Sequence, residues 1–274
     1  LALVGAVWFA PSYLPKAIAA PEADETPIKV ITFNVWGDNH DLSGVEDWLR
    51  EQAADIVITI ETPLVWAEGV PALADLYPEQ HQVDTQGVYW DAMVFSKHPI
   101  VMVEQIDLGD GEIPQQRVEI EIAGKRIAVY GIHLYLPIGE APHLPLPNNF
   151  YNNAIFGYDD TARDRQIVRL IERLADEPLP YIVGGDFNMS DQSRAYGDLA
   201  AVMRDSFREA GTGLGTSWPM MQRLGLPNFI PPLVRIDYLW HSDEFRAVEA
   251  AQGPYLGSDH LPLLATLALR VNSA

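Results

Sequence analysis

The run Tyr181-Ile-Val-Gly-Gly-Asp186-Phe-Asn188 constrains this chain more than any other stretch. Its apolar start reads as a buried strand, and Gly184-Gly185 lets the backbone turn sharply at the strand end. In extended backbone, residues two apart point the same way. Asp186 and Asn188 are therefore expected to converge at the mouth of a sheet, where α/β proteins usually place their chemistry. An acid beside an amide suits holding a water or hydroxide near a metal-bound phosphate. The plainer alternative is a turn closed by an Asx cap.

Similar strands recur along the chain. Ile28–Phe33, Asp55–Ile60, Trp90–Ser96, Arg117–Ile122, Arg126–His133, Val234–His241 and Leu263–Leu269 have strand character, with a Gly124-Lys125 turn between two of them. Val45 to Ala54 places Val45, Trp48, Leu49 and Ala53 at helical spacing, with acidic residues early in the helix. Ala162 to Ala175 is expected to carry Ile167, Val168, Leu170, Ile171 and Leu174 on one helical face. Residues 137–160 and 211–232 lack periodicity, and long loops of this kind beside regular strands often face substrate. The order predicts an α/β domain with a mixed sheet or two stacked sheets.

The residues that close these strands share a theme. Asn34 follows Ile31-Thr-Phe33, Glu61 follows Val57-Ile-Thr-Ile60, and His133 ends Ala128-Val-Tyr-Gly-Ile132. Asp186 and Asn188 follow a further strand, Asp237 sits in Arg235-Ile-Asp-Tyr-Leu-Trp, and Ser258-Asp259-His260 precedes the last. One polar strand end usually caps a turn. Acids, amides and imidazoles at six of them are what a hard-metal phosphoesterase site needs.

In this order the motifs resemble the endonuclease/exonuclease/phosphatase superfamily, from about Ile28 to Leu269. That superfamily includes deoxyribonucleases, apurinic endonucleases, sphingomyelinases and inositol phosphatases. The resemblance implies a four-layer α/β sandwich, two stacked mixed β-sheets flanked by helices, with the site at one edge. It implies a Mg²⁺-dependent phosphoric ester hydrolase, with Mn²⁺ a possible substitute. Glu61 would be the principal metal ligand, Asn34 would position the metal or phosphate oxygens, and Asp259 could serve a second ion. Asp186 would orient or deprotonate the attacking water, and Asn188 would steady the nucleophile or the phosphate. Asp237 would hold His260 as a carboxylate–histidine pair that favours imidazolium. His133 would contact the phosphate or protonate the leaving oxygen. Many members carry Gln before the metal-binding Glu, whereas this chain has Ile60-Glu61.

Plainer readings accompany several residues. Asn34 could be a turn residue, and Asp237 could pair with Arg235. His98 and His241 read as structural or surface groups, and His40 and His143 lie in loops. Arg163 and Arg165 start a helix and read mainly as scaffold, with one able to face a phosphate. Trp218 and Phe229 could wall a substrate or cover a sheet edge.

The formal charge of -20, from 38 acidic and 18 basic residues, argues against a surface that grips polyanions. It does not exclude an enzyme that meets phosphate through a bound cation. The chain has no cysteine, which removes thiolate nucleophiles and Cys-ligated zinc, and no paired His spacing suits a zinc hydrolase. Residues 1–16 read as an apolar membrane-proximal segment or the remnant of a transmembrane helix. The remainder of a signal peptide, or a segment packed on the domain, are the alternatives. Residues 17–27 read as a linker and 28–274 as one catalytic domain, expected to be monomeric, membrane-attached and extracytoplasmic, with secretion as the alternative. Its substrate is expected to be a phosphodiester, nucleic acid or phospholipid. The alternative is a catalytically silent binding module on the same fold.

Overall fold

The computed structural model describes residues 10–14, 16, 18–66, 69–82, 91–109, 115–139, 157–220, 222, 227 and 229–270. Residues 1–9 of the apolar segment, Ala17 of the expected linker, Trp90, His143 and the loop stretch 140–156 lie outside the described residues.

Among the described residues, twelve strands form two six-stranded sheets. The first joins β1 (Glu25–Asn34), β2 (Ile56–Thr62), β3 (Glu79–Gln82), β4 (Asp91–Ser96), β11 (Phe245–Gln252) and β12 (Leu263–Arg270), in the order β11-β12-β1-β2-β4-β3. The second joins β5 (Ile100–Ile106), β6 (Gln115–Ile122), β7 (Lys125–His133), β8 (Tyr181–Asp186), β9 (Arg204–Asp205) and β10 (Asp237–His241), in the order β5-β6-β7-β8-β10-β9. Each sheet is mixed. β1 and β2 run parallel, as do β7 and β8, and the other neighbours are antiparallel.

Burial explains the layering. Ile28 and Val30 of β1 and Ile56 and Ile58 of β2 share one core with Val118, Val129, Ile182 and Leu239 of the second sheet. The intervening residues Ile31, Phe33 and Val57 turn to the other side, against Val45, Trp48 and Leu49 of helix α1 (Leu42–Gln52). On the far face, Ile167, Leu170 and Leu174 of helix α2 (Thr161–Ala175) pack on Tyr130 and Val183. Strands buried on both faces read as continuous apolar runs, and the result is the expected four-layer α/β sandwich. Val168 departs from its expected place: it is exposed, because the buried stripe of α2 follows Arg163, Gln166, Ile167, Leu170 and Leu174. Nor does α1 carry an acid in its first turn; Asp41 caps it instead, accepting from the Gly44 N–H at 3.2 Å.

The glycine pair does not turn the chain. β8 runs straight through Gly184 and Gly185 to Asp186. A Cβ on Gly184 would meet Ile58 Cδ1 of the opposing sheet at 2.7 Å, so its absence lets the sheets approach. Gly185 has φ +148°, and a Cβ there would lie 1.8 Å from the Ile132 carbonyl oxygen. The Gly185→Ala chain is expected to lose on the order of 3 kcal/mol or more of stability. A melting temperature within a degree or two of wild type would contradict that.

The described parts of the expected apolar segment and linker are both fastened to the domain. The Gly213 N–H donates to Ser12 O at 2.7 Å. Lys16 Nζ donates to Arg208 O at 2.7 Å on helix α3 (Ser206–Ala210). Arg246 donates to Ala19 O and Ala20 O, each at 2.9 Å, and pairs with Glu25. Among the described residues, no helix is long and apolar enough to cross a membrane.

Candidate active site

The topology gathers the polar strand ends at one edge. β1 finishes there with Asn34 and β2 carries Glu61 one residue before its end, while antiparallel β12 begins there, Leu263 opposite Thr32. In the second sheet β7 and β8 finish with His133 opposite Asp186, and β10 begins with Asp237 opposite the same Asp186. Stacking the sheets brings the two sets face to face.

The side chains interlock around Asn34. Its amide nitrogen donates to Glu61 Oε1 at 3.0 Å and to Asp186 Oδ2 at 3.1 Å, and lies 3.5 Å from His260 Nε2. Its amide oxygen accepts from the Trp36 N–H at 3.1 Å. Ser258 Oγ donates to Asn34 O at 2.7 Å and accepts from the His260 N–H at 3.0 Å, which ties the last loop to β1. His260 Nδ1 meets Asp237 Oδ2 at 2.8 Å, and its Nε2 lies 3.7 Å from Asp186 Oδ2 and 4.0 Å from Asp259 Oδ1. His133 Nε2 lies 3.9 Å from Glu61 Oε1. All eight residues singled out in the sequence therefore meet at this edge, though in different ways.

Asn188 is the instructive case. It sits in left-handed backbone, φ 48°, so the strict alternation of a strand ends at Asp186. Its N–H donates to Asp186 Oδ1 at 2.9 Å, which is an Asx turn, while its side-chain nitrogen turns to Leu134 O at 2.9 Å. The motif is a capped turn and part of the site at once. Glu61 also has positive φ, 50°, where the β2–β4 register slips between Thr59 and Thr62. A non-glycine residue held left-handed costs about 1 kcal/mol or more, and such strain collects at functional sites.

Supporting residues hold these turns. Arg163 is buried and donates to Asn188 O at 2.9 Å and Tyr158 Oη at 3.1 Å, so it is scaffold. Arg235 pairs with Asp205, leaving Asp237 to His260. His241 is fully buried between Glu209 and its neighbour's carbonyl. Gln115 was not foreseen as a support, and Trp218 was foreseen only as a substrate wall or a sheet-edge cover. Gln115 Nε2 donates to His133 O at 2.8 Å while its carbonyl accepts the His133 N–H. Trp218 Nε1 donates to Asp259 Oδ2 at 3.1 Å, and its ring lies 6.4 Å from that of His260. Gln115 sits in a polar stretch without a strand-end signal, so only the fold reveals it.

The electrostatics follow from burial and pairing. Burial first, and then the Asp237 charge, push the Asp186 carboxyl up to about 8. Burial pulls His260 down, but the Asp237 and Asp186 charges outweigh it and raise the imidazole to about 10. Burial lowers His133, partly offset by Glu61. For Asp186 and His260 alike the folded chain keeps a proton that the unfolded chain has released. Their contribution to stability is complete below the unfolded values, 3.8 and 6.5, and is lost as pH rises toward about 8 and about 10. In EDTA, the melting temperature of wild type relative to Asp186→Asn is expected to fall between pH 4 and pH 8. A difference that rises over that window would contradict the assignment.

A divalent cation fits the donor set. Glu61 and Asp259 offer hard oxygens on side chains 23% and 31% exposed, open to solvent, as such ions require. Asp186, Asp237 and His260 also bring ligand-type atoms within 4.8 Å of one another. There the Nδ1–carboxylate hydrogen bond already occupies His260 and Asp237, so Glu61 is the better anchor. The buried atoms Asp237 Oδ1 and His133 Nδ1 have no hydrogen-bond partner, as expected of a site shaped for something else to enter.

Comparison with known proteins supports this architecture. Residues 31–260 match the model of the Endonuclease/Exonuclease/phosphatase family. No curated protein is significantly similar. Among solved structures, the endonuclease/exonuclease/phosphatase from Bacteroides vulgatus aligns over 89% of this chain and 99% of its own, with TM-score 0.69 and 19% identity. A mannosyl-6-phosphatase from Bacteroides thetaiotaomicron VPI-5482 covers 88% and 99%, with TM-score 0.64 and 16% identity. Truncated TDP2 from Caenorhabditis elegans covers 88% and 97%, with TM-score 0.65 and 18% identity.

Proposed function

The chain belongs to the endonuclease/exonuclease/phosphatase family, and from that premise we propose that it is a divalent-metal-dependent phosphodiesterase. The observation that carries this is the single Asn34 amide bridging Glu61 and Asp186, beside a His260 that Asp237 holds charged.

Glu61, with Asn34 beside it, would hold Mg²⁺ or Mn²⁺, and Asp259 would serve a second ion. Such a cation supplies Lewis-acid polarisation of the phosphoryl oxygen and neutralises its charge. The chain's own residues do the rest. Asp186, a stronger base than an ordinary aspartate because its pKa is raised, orients the water and accepts its proton. His260 keeps its proton on Nε2, the nitrogen turned away from Asp237, and donates to a phosphoryl oxygen as charge builds there. His133, kept neutral by burial, stands near Glu61 for the leaving oxygen. Asn34 and Asn188 fix the carboxylates through the hydrogen bonds they already make.

A diester fits better than a monoester. Among the described residues, the charged groups within 4 Å of Glu61, Asp186, Asp237 and Asp259 are histidines. Among the described residues, no Lys or Arg is paired with these carboxylates to supply the basic cup that a dianionic monoester favours. The test is the ratio of kcat/KM for bis(p-nitrophenyl) phosphate to that for p-nitrophenyl phosphate under Mg²⁺ and Mn²⁺. The diester is expected to be preferred about tenfold or more; a monoester preference would overturn the reading. Attachment through residues 1–16, with the domain outside the cytoplasm, belongs to the same proposal. Protease shaving of intact cells that spared the domain would count against it.

A further inference from the structure

The strand ends that carry the site continue into segments whose outward side chains are apolar. Leu64 and Val65 follow Glu61 by three and four residues, and Tyr135 and Leu136 follow His133 by two and three. On the Asp259 side, the Leu233 N–H donates to Trp218 O at 3.0 Å, and Trp218 is the residue bonded to Asp259 and set against His260. Phe229 lies on the same segment. These six side chains are between 42% and 80% exposed. Single exposed apolar residues are ordinary. Six on the segments that leave one active-site edge are more than single scattered residues, and function must explain them.

Whatever covers this surface must also bring a phosphoric ester to the mouth it borders. A folded protein seated there would close the mouth. A nucleic acid would ask for cations, and the chain carries -20, with only histidines beside the site carboxylates among the described residues. A lipid surface covers apolar side chains and delivers the ester in one encounter. The same net charge removes anionic lipid as the attraction. The chain's apolar run, Leu1 to Ala10, points the same way. Ser12, just after it, is bonded to Gly213 on the stretch that leads to Trp218.

We infer that the active-site edge docks on a zwitterionic phospholipid surface through Leu64, Val65, Tyr135, Leu136, Phe229 and Leu233, and that its substrate is a phosphodiester presented there. The substrate half of this inference rests on the phosphoesterase reading of the site. The test is flotation of the full chain with phosphatidylcholine vesicles, with and without phosphatidylserine, alongside release of headgroup phosphate esters from those vesicles. The comparison is a variant carrying Leu64→Ser, Val65→Ser, Phe229→Ser and Leu233→Ser, which keeps the N-terminal run. Wild type is expected to float with phosphatidylcholine alone and to gain nothing from phosphatidylserine. The variant is expected to float, and to cleave vesicle lipid, roughly tenfold less or worse. Its hydrolysis of soluble bis(p-nitrophenyl) phosphate should match wild type, because none of the four residues touches the site carboxylates. Failure of wild type to bind phosphatidylcholine, binding that requires phosphatidylserine, or equal binding by the variant would overturn the docking surface. Equal binding would assign attachment to the N-terminal run alone. Rim-dependent flotation by a chain that cleaves neither substrate would sustain the docking surface and remove the phosphoesterase reading with its substrate.

Discussion

Replacing His260 by alanine is expected to lower kcat for diester hydrolysis by about 10³-fold, with a smaller change in KM, because the lost donor acts mainly on charge that develops in the transition state. The imidazole is bonded through Nδ1 to Asp237 and presents Nε2 to the space bounded by Asp186, Asn34 and Asp259. Among the described residues no other imidazolium stands there, since His133 is pulled toward its neutral form. The substitution also leaves Asp186 and Asp237 buried without their cation, at a cost of about 3 kcal/mol at alkaline pH. Asp237→Asn separates the charge from the contact. Without the carboxylate that raises it to about 10, His260 should titrate lower, and the alkaline limb of the pH–rate profile should move down with it. An Asp237→Asn profile that overlays wild type would mean that Asp237 is only a structural partner.

The second large effect concerns Glu61. Glu61→Gln is expected to reduce metal-supported turnover by about 10²–10³-fold while leaving the fold intact, since the amide preserves size but loses the charge that attracts a hard cation. The wild-type melting temperature should rise on adding Mg²⁺ or Mn²⁺, because an ion that binds only the folded chain stabilises it. That rise should vanish in Glu61→Gln. An undiminished rise would place the cation elsewhere, with the Asp186–Asp237–His260 group the first alternative.

Much of the fold was legible because buried strands leave long apolar runs. β1, β2, β7 and β8 were evident for that reason, and so were the polar residues that end them. The edges were harder. β3 is Glu-Gln-His-Gln, without an apolar face, and exists through backbone pairing to β4. β11 spreads alanines over both faces and slips register between Ala247 and Glu249, which blurs its alternation. β10 starts at Asp237 rather than Val234, because Val234 bridges to Trp218 instead of continuing the ladder.

Within the site, which residues matter could be read from strand ends, and the family resemblance implied the Asp237–His260 pair that the structure holds, but the other contacts could not be read. Asp186 and Asn188 were expected to converge by strand alternation; positive φ at Asn188 replaces that geometry with an Asx turn. The pairing of Asp237 with His260 rather than with Arg235 depends on Asp205, thirty residues upstream of Arg235. Gln115 acts on His133 from a neighbouring strand, a contact only the register supplies.

The central claim is that one carboxylate-held histidine and one metal-binding glutamate make this edge a phosphodiesterase. Hydrolysis of bis(p-nitrophenyl) phosphate by wild type, His260→Ala and Glu61→Gln, each with Mg²⁺ or Mn²⁺ and again with EDTA, tests it directly. Wild-type turnover is expected to be abolished by EDTA, restored by added metal, and lower by about 10²-fold or more in both variants. Turnover that survives EDTA, or that both variants retain, would contradict it.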